Sequence, residues 1–351
     1  MHYMIQTVVS FDFPVEEKFQ IKKHRILPAG YTAQSDLSGI PRFSIVTGTH
    51  GDELEGQYVC YEVSRRLMEH PEQLKGIVDI YPALNPLGID SIERGIPGFD
   101  LDMNRIFPGS ESGSMAEHAA AKIVQDLAGS DMVIDIHASN LYLTEIPQVR
   151  ISEVFEEKLV PFAQHLNVDF IWVHSAATVL EATLAHSLNS IGTPTLVVEM
   201  GVGLRLTQAY GEQLTEGLFS LMKHMGVWTG ASEVPRIPLI SGKENEVEFL
   251  NAPVSGIFIQ RMEHNSFAHE GDVIGEIVDP LQGKCLREIK APCTGVIFTL
   301  RDFPVVDEGS LLGRMMNMSA IQPDRLADLE ARGIRPVSSL ELARLRGGAG
   351  K

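Results

Sequence analysis

The string GTHGDELEG at residues 48–56 sets an imidazole and a carboxylate three positions apart, His50 and Glu53. It lies between an apolar strand-like run, FSIVTG, and a helix-compatible stretch beginning near Leu54. At a strand-to-helix turn one turn of backbone can aim both side chains at a common point, and Gly48 and Gly51 permit a close turn. Together they offer the nitrogen and oxygen donors that zinc accepts, but catalytic zinc commonly takes three protein ligands and keeps one open position. DMVIDIHASN places His137 directly after another apolar run, where it can stand at the carboxyl edge of the same sheet. Two histidines and a glutamate would satisfy zinc. Asp135, two residues before His137, is placed either to orient a ligand imidazole or to make a structural contact. Alone, an HxxE string arises by accident and a histidine after a strand is usually a polar loop residue; only the combination points to a metal.

Hydrolysis at such a centre also needs a group that takes a proton from water and returns it to the leaving nitrogen. TPTLVVEMG, residues 193–201, puts Glu199 after an apolar strand, where an unpaired core carboxylate would be expensive. It is either one half of a structural ion pair or a general base and acid at the sheet edge. The glycine- and proline-rich excursion from Asn85 to Gly113 supplies positive charge through Arg94 and the adjacent Asn104 and Arg105. A planar guanidinium suits a carboxylate or a developing oxyanion, although Arg94 fits a surface role equally well. Asp100 and Asp102 can pair with these arginines or simply solvate the loop.

Positioning these groups requires a sheet. Strand-like runs at 43–48, 77–82, 131–136, 168–173 and 194–198 alternate with helix-compatible stretches at 54–69, 114–127, 150–165, 178–189 and 207–225. That rhythm predicts an α/β fold, a central sheet covered by helices, behind a small strand-rich lead-in over residues 1–35. After Ser241 the chain turns to short β-like segments. APVSGIF at 252 resembles APCTGVIF at 291, and DVIG at 272 resembles SLLG at 310, at offsets of 39 and 38 residues. Two similar β half-units around one small core follow for residues 242–318, after a catalytic domain over 1–241 and before a C-terminal extension over 319–351. The extension carries a short amphipathic helix candidate, DRLADLEARGIRP.

Composition bounds the function. The 351 residues are 44% hydrophobic and 21% charged, as in folded globular proteins. A net charge of −17 without a lysine- or arginine-rich run argues against nucleic acid as a partner. No apolar run approaches the roughly 20 residues of a membrane span. The N-terminal residues lack a basic leader with an apolar block, and the three cysteines form no CxxC pair, so a reducing cytoplasm is expected.

Taken in order, GTHGDELEG, NP with the following ERG, DMNRIFPG, DIHASN and VVEMG resemble the succinylglutamate desuccinylase and aspartoacylase family, whose catalytic domain is similar to the zinc carboxypeptidases. These motifs span roughly residues 42–201, and the β-rich region fits the family's C-terminal domain. The resemblance implies a mixed central sheet with helices on both faces. It implies a zinc-dependent amidohydrolase, with one zinc per chain, that removes an acetyl or succinyl group from a small carboxylate-bearing N-acyl amino acid. Carried over by position, His50, Glu53 and His137 match the zinc ligands and Glu199 the catalytic glutamate. Arg94 matches the carbonyl-polarising arginine, and Asn104 with Arg105 the pair that grips a substrate carboxylate. The alternatives are a carboxypeptidase-like peptidase and a noncatalytic binding protein. The paired half-units also look similar to biotinyl or lipoyl carriers, but Lys284 between them lacks the usual flanking residues. That region is therefore read as a lid or an element of homo-oligomerisation.

Overall fold

The computed structural model describes residues 2–99, 101–175, 181–241 and 246–318. Asp100, the first residues of the expected 178–189 helix and the whole C-terminal extension, with its helix candidate, lie outside the described residues. The chain divides into two compact units, Met1–Leu141 with Pro147–Ile240, and Tyr142–Ile146 with Ser241 onward.

In chain order the first unit contains β1 (His2–Asp12), β2 (Lys18–Leu27), β3 (Arg42–Thr47), α1 (Glu55–Glu69), β4 (Ile77–Tyr81), α2 (Pro86–Ser91) and α3 (Met115–Leu127). There follow β5 (Met132–Ala138), β6 (Leu143–Ser152, of which the residues up to Ile146 belong to the second unit), α4 (Glu156–Ala163), β7 (Phe170–His174), α5 (Leu184–Ser190), β8 (Thr195–Gly201), α6 (Gln208–His224) and β9 (Leu239–Ser241, its last residue in the second unit). Strands lie in the order β1-β2-β4-β3-β5-β8-β6-β7-β9. β3 pairs in parallel with β4 on one side and β5 on the other, and β5 pairs in parallel with β8. β1 and β2 add an antiparallel extension. Side-chain alternation divides the core between the two faces. Ile45, Ile80, Ile134, Ile136 and Val198 pack with α1, α4 and α6, whereas Val46, Tyr81 and Val133 pack with α3 and α5. The fold is thus α/β with helices on both faces of a mixed sheet. Among the described residues no helix is long and apolar enough to cross a membrane.

Where the structure departs from the sequence reading, the cause is burial. The segment expected to be helical over 150–165 opens instead as the end of strand β6, and the helix is confined to Glu156–Ala163. β6 buries Glu145 and Gln148 as fully as its apolar residues, so its polar/apolar alternation gives no strand signal. The Asn85–Gly113 excursion is partly regular. It contains α2, a 3-10 turn at Met103–Arg105 and an isolated bridge between Ile96 and Leu101.

Among its described residues the second unit is built of strands, beginning with the first residues of β6. β10 (Val247–Asn251), β11 (Gly256–Gln260), β12 (Ser266–Ala268), β13 (Val273–Asp279), β14 (Lys284–Lys290), β15 (Gly295–Arg301), β16 (Val305–Val306) and β17 (Leu311–Asn317) form its strands. β11 pairs with β13 through Ile257↔Val278 and Phe258↔Ile277, and β15 pairs with β17 through Val296↔Met316 and Ile297↔Met315. The two similar sequence fragments therefore occupy equivalent positions of two antiparallel pairs. Phe258, Ile277, Ile297 and Met315 share one apolar cluster.

Helix α3 begins with a capping box. Ser114 accepts from the backbone N–H of Glu117, and the Glu117 carboxylate accepts from that of Ser114. Replacing an N-cap serine by alanine costs about 1 kcal/mol. Ser114→Ala should lower stability by about that amount in a urea unfolding curve while Ser114→Asp stays close to wild type; an unchanged midpoint for the alanine variant would remove the cap from the account.

Candidate active site

The order β4-β3-β5 creates the site. The chain leaves β3 for β4 on one side and later enters β5 on the other, so the loops beyond the carboxyl ends of β3 and β5 diverge and leave a crevice between them. Residues 48–54 fill the turn after β3, and His137 stands at the end of β5. Gly51 is needed there because a Cβ on it would fall 1.9 Å from the carbonyl carbon of Gly88. This close approach, with a hydrogen bond from Gly51 N–H to the Glu93 carbonyl at 3.1 Å, fastens the turn to the loop that carries Arg94. Asn85 shapes that loop from within: its Oδ1 accepts from Gly88 N–H and its Nδ2 donates to the Gly95 carbonyl.

Donor atoms of His50, Glu53 and His137 converge within 4.8 Å of one another, and all three residues are buried. Nδ1 of His50 lies 2.7 Å from Glu53 Oε1, and Nδ1 of His137 lies 2.8 Å from Glu53 Oε2. The opposite nitrogens face other carboxylates. Nε2 of His50 is 2.9 Å from Asp102 Oδ1, and Nε2 of His137 is 3.3 Å from Asp135 Oδ1. The hydrogen bond to Asp102 favours the proton of His50 on Nε2 and turns its Nδ1 lone pair toward Glu53, while Asp135 adds negative charge behind the His137 ring. Despite its short distance to Glu53, Nδ1 of His50 has no hydrogen-bond partner among the described residues. Two imidazole nitrogens and a carboxylate turned toward one another, with Asp102 bound to the far side of one ring and Asp135 behind the other, are a donor set suited to a divalent cation.

The electrostatics agree. Burial alone would raise the Glu53 carboxyl, but His137 and His50 beside it hold it well below the usual carboxylate range. Burial opposes protonation of His137, yet Asp135 and Glu53 outweigh it and move the imidazole well upward. Asp102 is held low against its own burial by His50 and Arg94. The cluster thus concentrates negative charge around the two imidazoles and favours a cation or a proton there.

Arg94 donates from Nη1 to Glu53 Oε1 at 2.9 Å and from Nε to Asp102 Oδ2 at 3.3 Å, and 41% of its side chain is exposed. Two anchors set the guanidinium plane at the rim of the site. Glu199 sits directly opposite His137 in the parallel β5–β8 register, one strand from the cluster. Asn104 and Arg105 follow Asp102 in the 3-10 turn. Asn104 Oδ1 accepts from Leu184 N–H at the start of α5, and exposed Arg105 donates to the Asn104 carbonyl. Two participants were missed by sequence reasoning. Asp102, read as a partner of the arginines or a solvated loop residue, pairs with Arg94 and also lies against His50. Arg150, whose Nη1 is 3.2 Å from Glu199 Oε1, sat in a stretch read as helical. The signal for Asp102 is its place in the DLDMNR string; Arg150 has no local one.

The crevice at the carboxyl ends of the parallel strands β3, β5 and β8, with a buried His/Glu/His cluster that could hold a metal ion, belongs to an α/β protein with a mixed sheet. The model of the succinylglutamate desuccinylase/aspartoacylase catalytic domain matches residues 39–225, and the chain belongs to that family. N-alpha-acetyl-L-2,4-diaminobutyric acid deacetylase of Halomonas elongata is 26% identical over 281 residues, covering 75% of this chain and 78% of that protein. Among solved structures, the product-bound ectoine utilization protein EutE (DoeB) from Ruegeria pomeroyi superposes with a TM-score of 0.74 at 17% identity, over 90% of this chain and 95% of that one. A succinylglutamate desuccinylase/aspartoacylase from Rhodobacter sphaeroides superposes with a TM-score of 0.73 at 20% identity, over 89% and 95%. At those identities the two structures speak for the fold.

Outer carboxylates that hold ligand imidazoles typically carry 10- to 100-fold in metal affinity. Asp102→Ala should therefore weaken divalent-metal affinity by roughly that factor in competition with a chelator, with the fold retained by circular dichroism. Wild-type affinity in this variant would show that His50 needs no such support.

Proposed function

We propose that this protein is a zinc-dependent hydrolase of the amide bond of a small N-acyl amino acid, releasing a carboxylate and a free amine. The observation that carries the reading is the convergence of His50, Glu53 and His137 at the ends of β3 and β5, with Glu199 opposite His137 on β8. Membership of the family supports it. So does the 26% identity to a protein named as an N-acetyl-diaminobutyrate deacetylase. His50 and His137 through Nδ1, and Glu53 through its carboxylate, would hold one zinc per chain. When bound, such an ion supplies Lewis-acid polarisation of a carbonyl and lowers the pKa of water toward neutrality.

The residues of the chain divide the remaining work. Glu199 takes a proton from the attacking water on its carboxylate and returns it to the departing nitrogen. Arg94, with Nε and Nη1 fixed by Asp102 and Glu53, turns its guanidinium to the oxyanion that develops on the carbonyl. Asn104 and Arg105 receive a substrate carboxylate. The Arg105 guanidinium has to supply the local positive charge for that purpose, because an anionic substrate approaches a chain of net charge −17. Hydrolysis of N-acetyl and N-succinyl derivatives of aspartate, glutamate and 2,4-diaminobutyrate, with and without a chelator, tests the reading. Chelator-sensitive release of the free amine is expected, and failure on every member by metal-loaded protein would contradict it.

Glu199→Gln keeps size and removes the base. Zinc content should stay near one per chain while kcat falls by roughly 10²- to 10⁴-fold. Near wild-type turnover in that variant would defeat the proton-carrier role, and loss of zinc would reassign Glu199 to metal binding. For Arg105→Ala the expected loss is chiefly in KM, and the wild type should cleave the carboxamide analogue of its best substrate poorly. Equal cleavage of acid and amide would contradict the carboxylate contact.

A further inference from the structure

Beyond Glu199 the same sheet face continues onto β6 and β7. Ile134, Ile136, Val198, Val149 and Ile151 belong to the core on the side of α1, α4 and α6. Strand alternation therefore turns His137, Glu199 and Arg150 to the opposite face, in the strand order β5-β8-β6. Arg150 and Trp172 are neighbours in the parallel β6–β7 register. The guanidinium carbon lies 5.6 Å from the Trp172 ring centroid, and Nη1 lies 3.2 Å from Glu199 Oε1. The Arg150 and Glu199 side chains are only 26% and 15% exposed.

We propose that Arg150, backed by Trp172, is a positioning residue that holds the Glu199 carboxylate in its proton-transfer geometry. This rests on the reading of Glu199 as the proton carrier. A glutamate has three side-chain torsions, and catalytic groups need to be held within roughly 0.5 Å of the productive geometry by locked neighbours. β5 supplies His137 on one side of Glu199, and β6 supplies Arg150 on the other. An arginine is fitted to this work because its planar fork is oriented by the aromatic ring while it binds the carboxylate; a lysine would supply charge without a plane. Arg150 touches no reacting atom in this scheme and acts only through Glu199.

In the zinc-loaded full chain, with the panel member it cleaves fastest, Arg150→Met should lower kcat roughly 10- to 100-fold, the scale of a misplacement of about 1 Å. KM and zinc content should stay within about twofold of wild type, a split that a merely structural ion pair would not produce. Arg150→Lys should fall between the two, and guanidinium ion should restore part of the turnover of Arg150→Ala. A crystal structure of Arg150→Met should show the Glu199 carboxylate displaced. In a Glu199→Gln background Arg150→Met should add almost no further loss. An unchanged kcat, a loss confined to KM, or losses that multiply with Glu199→Gln would overturn the inference and leave the Glu199 reading intact. Near wild-type turnover of Glu199→Gln alone would overturn both. If the methionine variant does not fold, the lysine variant decides: a lowered kcat with unchanged KM supports the role, and wild-type kinetics refute it.

Discussion

A carboxylate at the bottom of the crevice, Glu53, is buried between two imidazoles and a guanidinium, and the surrounding architecture follows from the need to satisfy it. An ionised carboxylate out of water is costly unless each oxygen has partners. Oε1 accepts from Arg94 with the His50 ring beside it, while Oε2 is hydrogen-bonded to Nδ1 of His137 and to the backbone N–H of Ala138. These contacts come from the turn after β3, the excursion after β4 and the end of β5. No single segment could supply them. Asp102 then holds the far nitrogen of His50, and Asp135 lies behind the His137 ring at 3.3 Å. The arrangement gathers more negative charge than Arg94 offsets, and that electrostatic imbalance suits a site for a divalent cation.

The sheet delivers this cluster through register. Parallel pairing of β3 with β5 and of β5 with β8 brings three carboxyl ends to one edge, and opposes His137 to Glu199. Glycines make the close contacts around it. Gly51 lets the turn that carries His50 and Glu53 lie on Gly88. Gly201, at φ +67°, passes where a Cβ would fall 1.9 Å from Glu55 Oε1, so the chain can turn just beyond Glu199. The Ser44–Ser130 and Arg42–Asp131 hydrogen bonds tie β3 to the start of β5 at the opposite end of the sheet, so the pairing is pinned from both ends.

Much of this was legible in the sequence because it is local. His50 and Glu53 are three residues apart, His137 and Asp135 two, and each pair sits at the end of an apolar run. The α/β class followed from alternating strand and helix periods. β6 was not legible, because a strand with both faces buried and polar residues held by ion pairs loses its period. Arg314 pairs with Glu145 at 2.7 Å within the second unit, a contact between residues 169 positions apart. Arg150 was lost with that strand, since its meaning comes from neighbours on β8 and β7. Asn104 shows the same limit in another form. Its type suggested substrate recognition, whereas its engagement with the first turn of α5 depends on a residue 80 positions away.

The proposed chemistry depends on a cation held by Nδ1 of His50, the Glu53 carboxylate and Nδ1 of His137. A crystal of the protein purified with its native metal, measured on both sides of the zinc absorption edge, tests it most directly. The expected result is one anomalous peak per chain, about 2.0–2.2 Å from each of these three donors. A peak at any other residues, or no peak in a preparation that hydrolyses N-acyl amino acids, would contradict it.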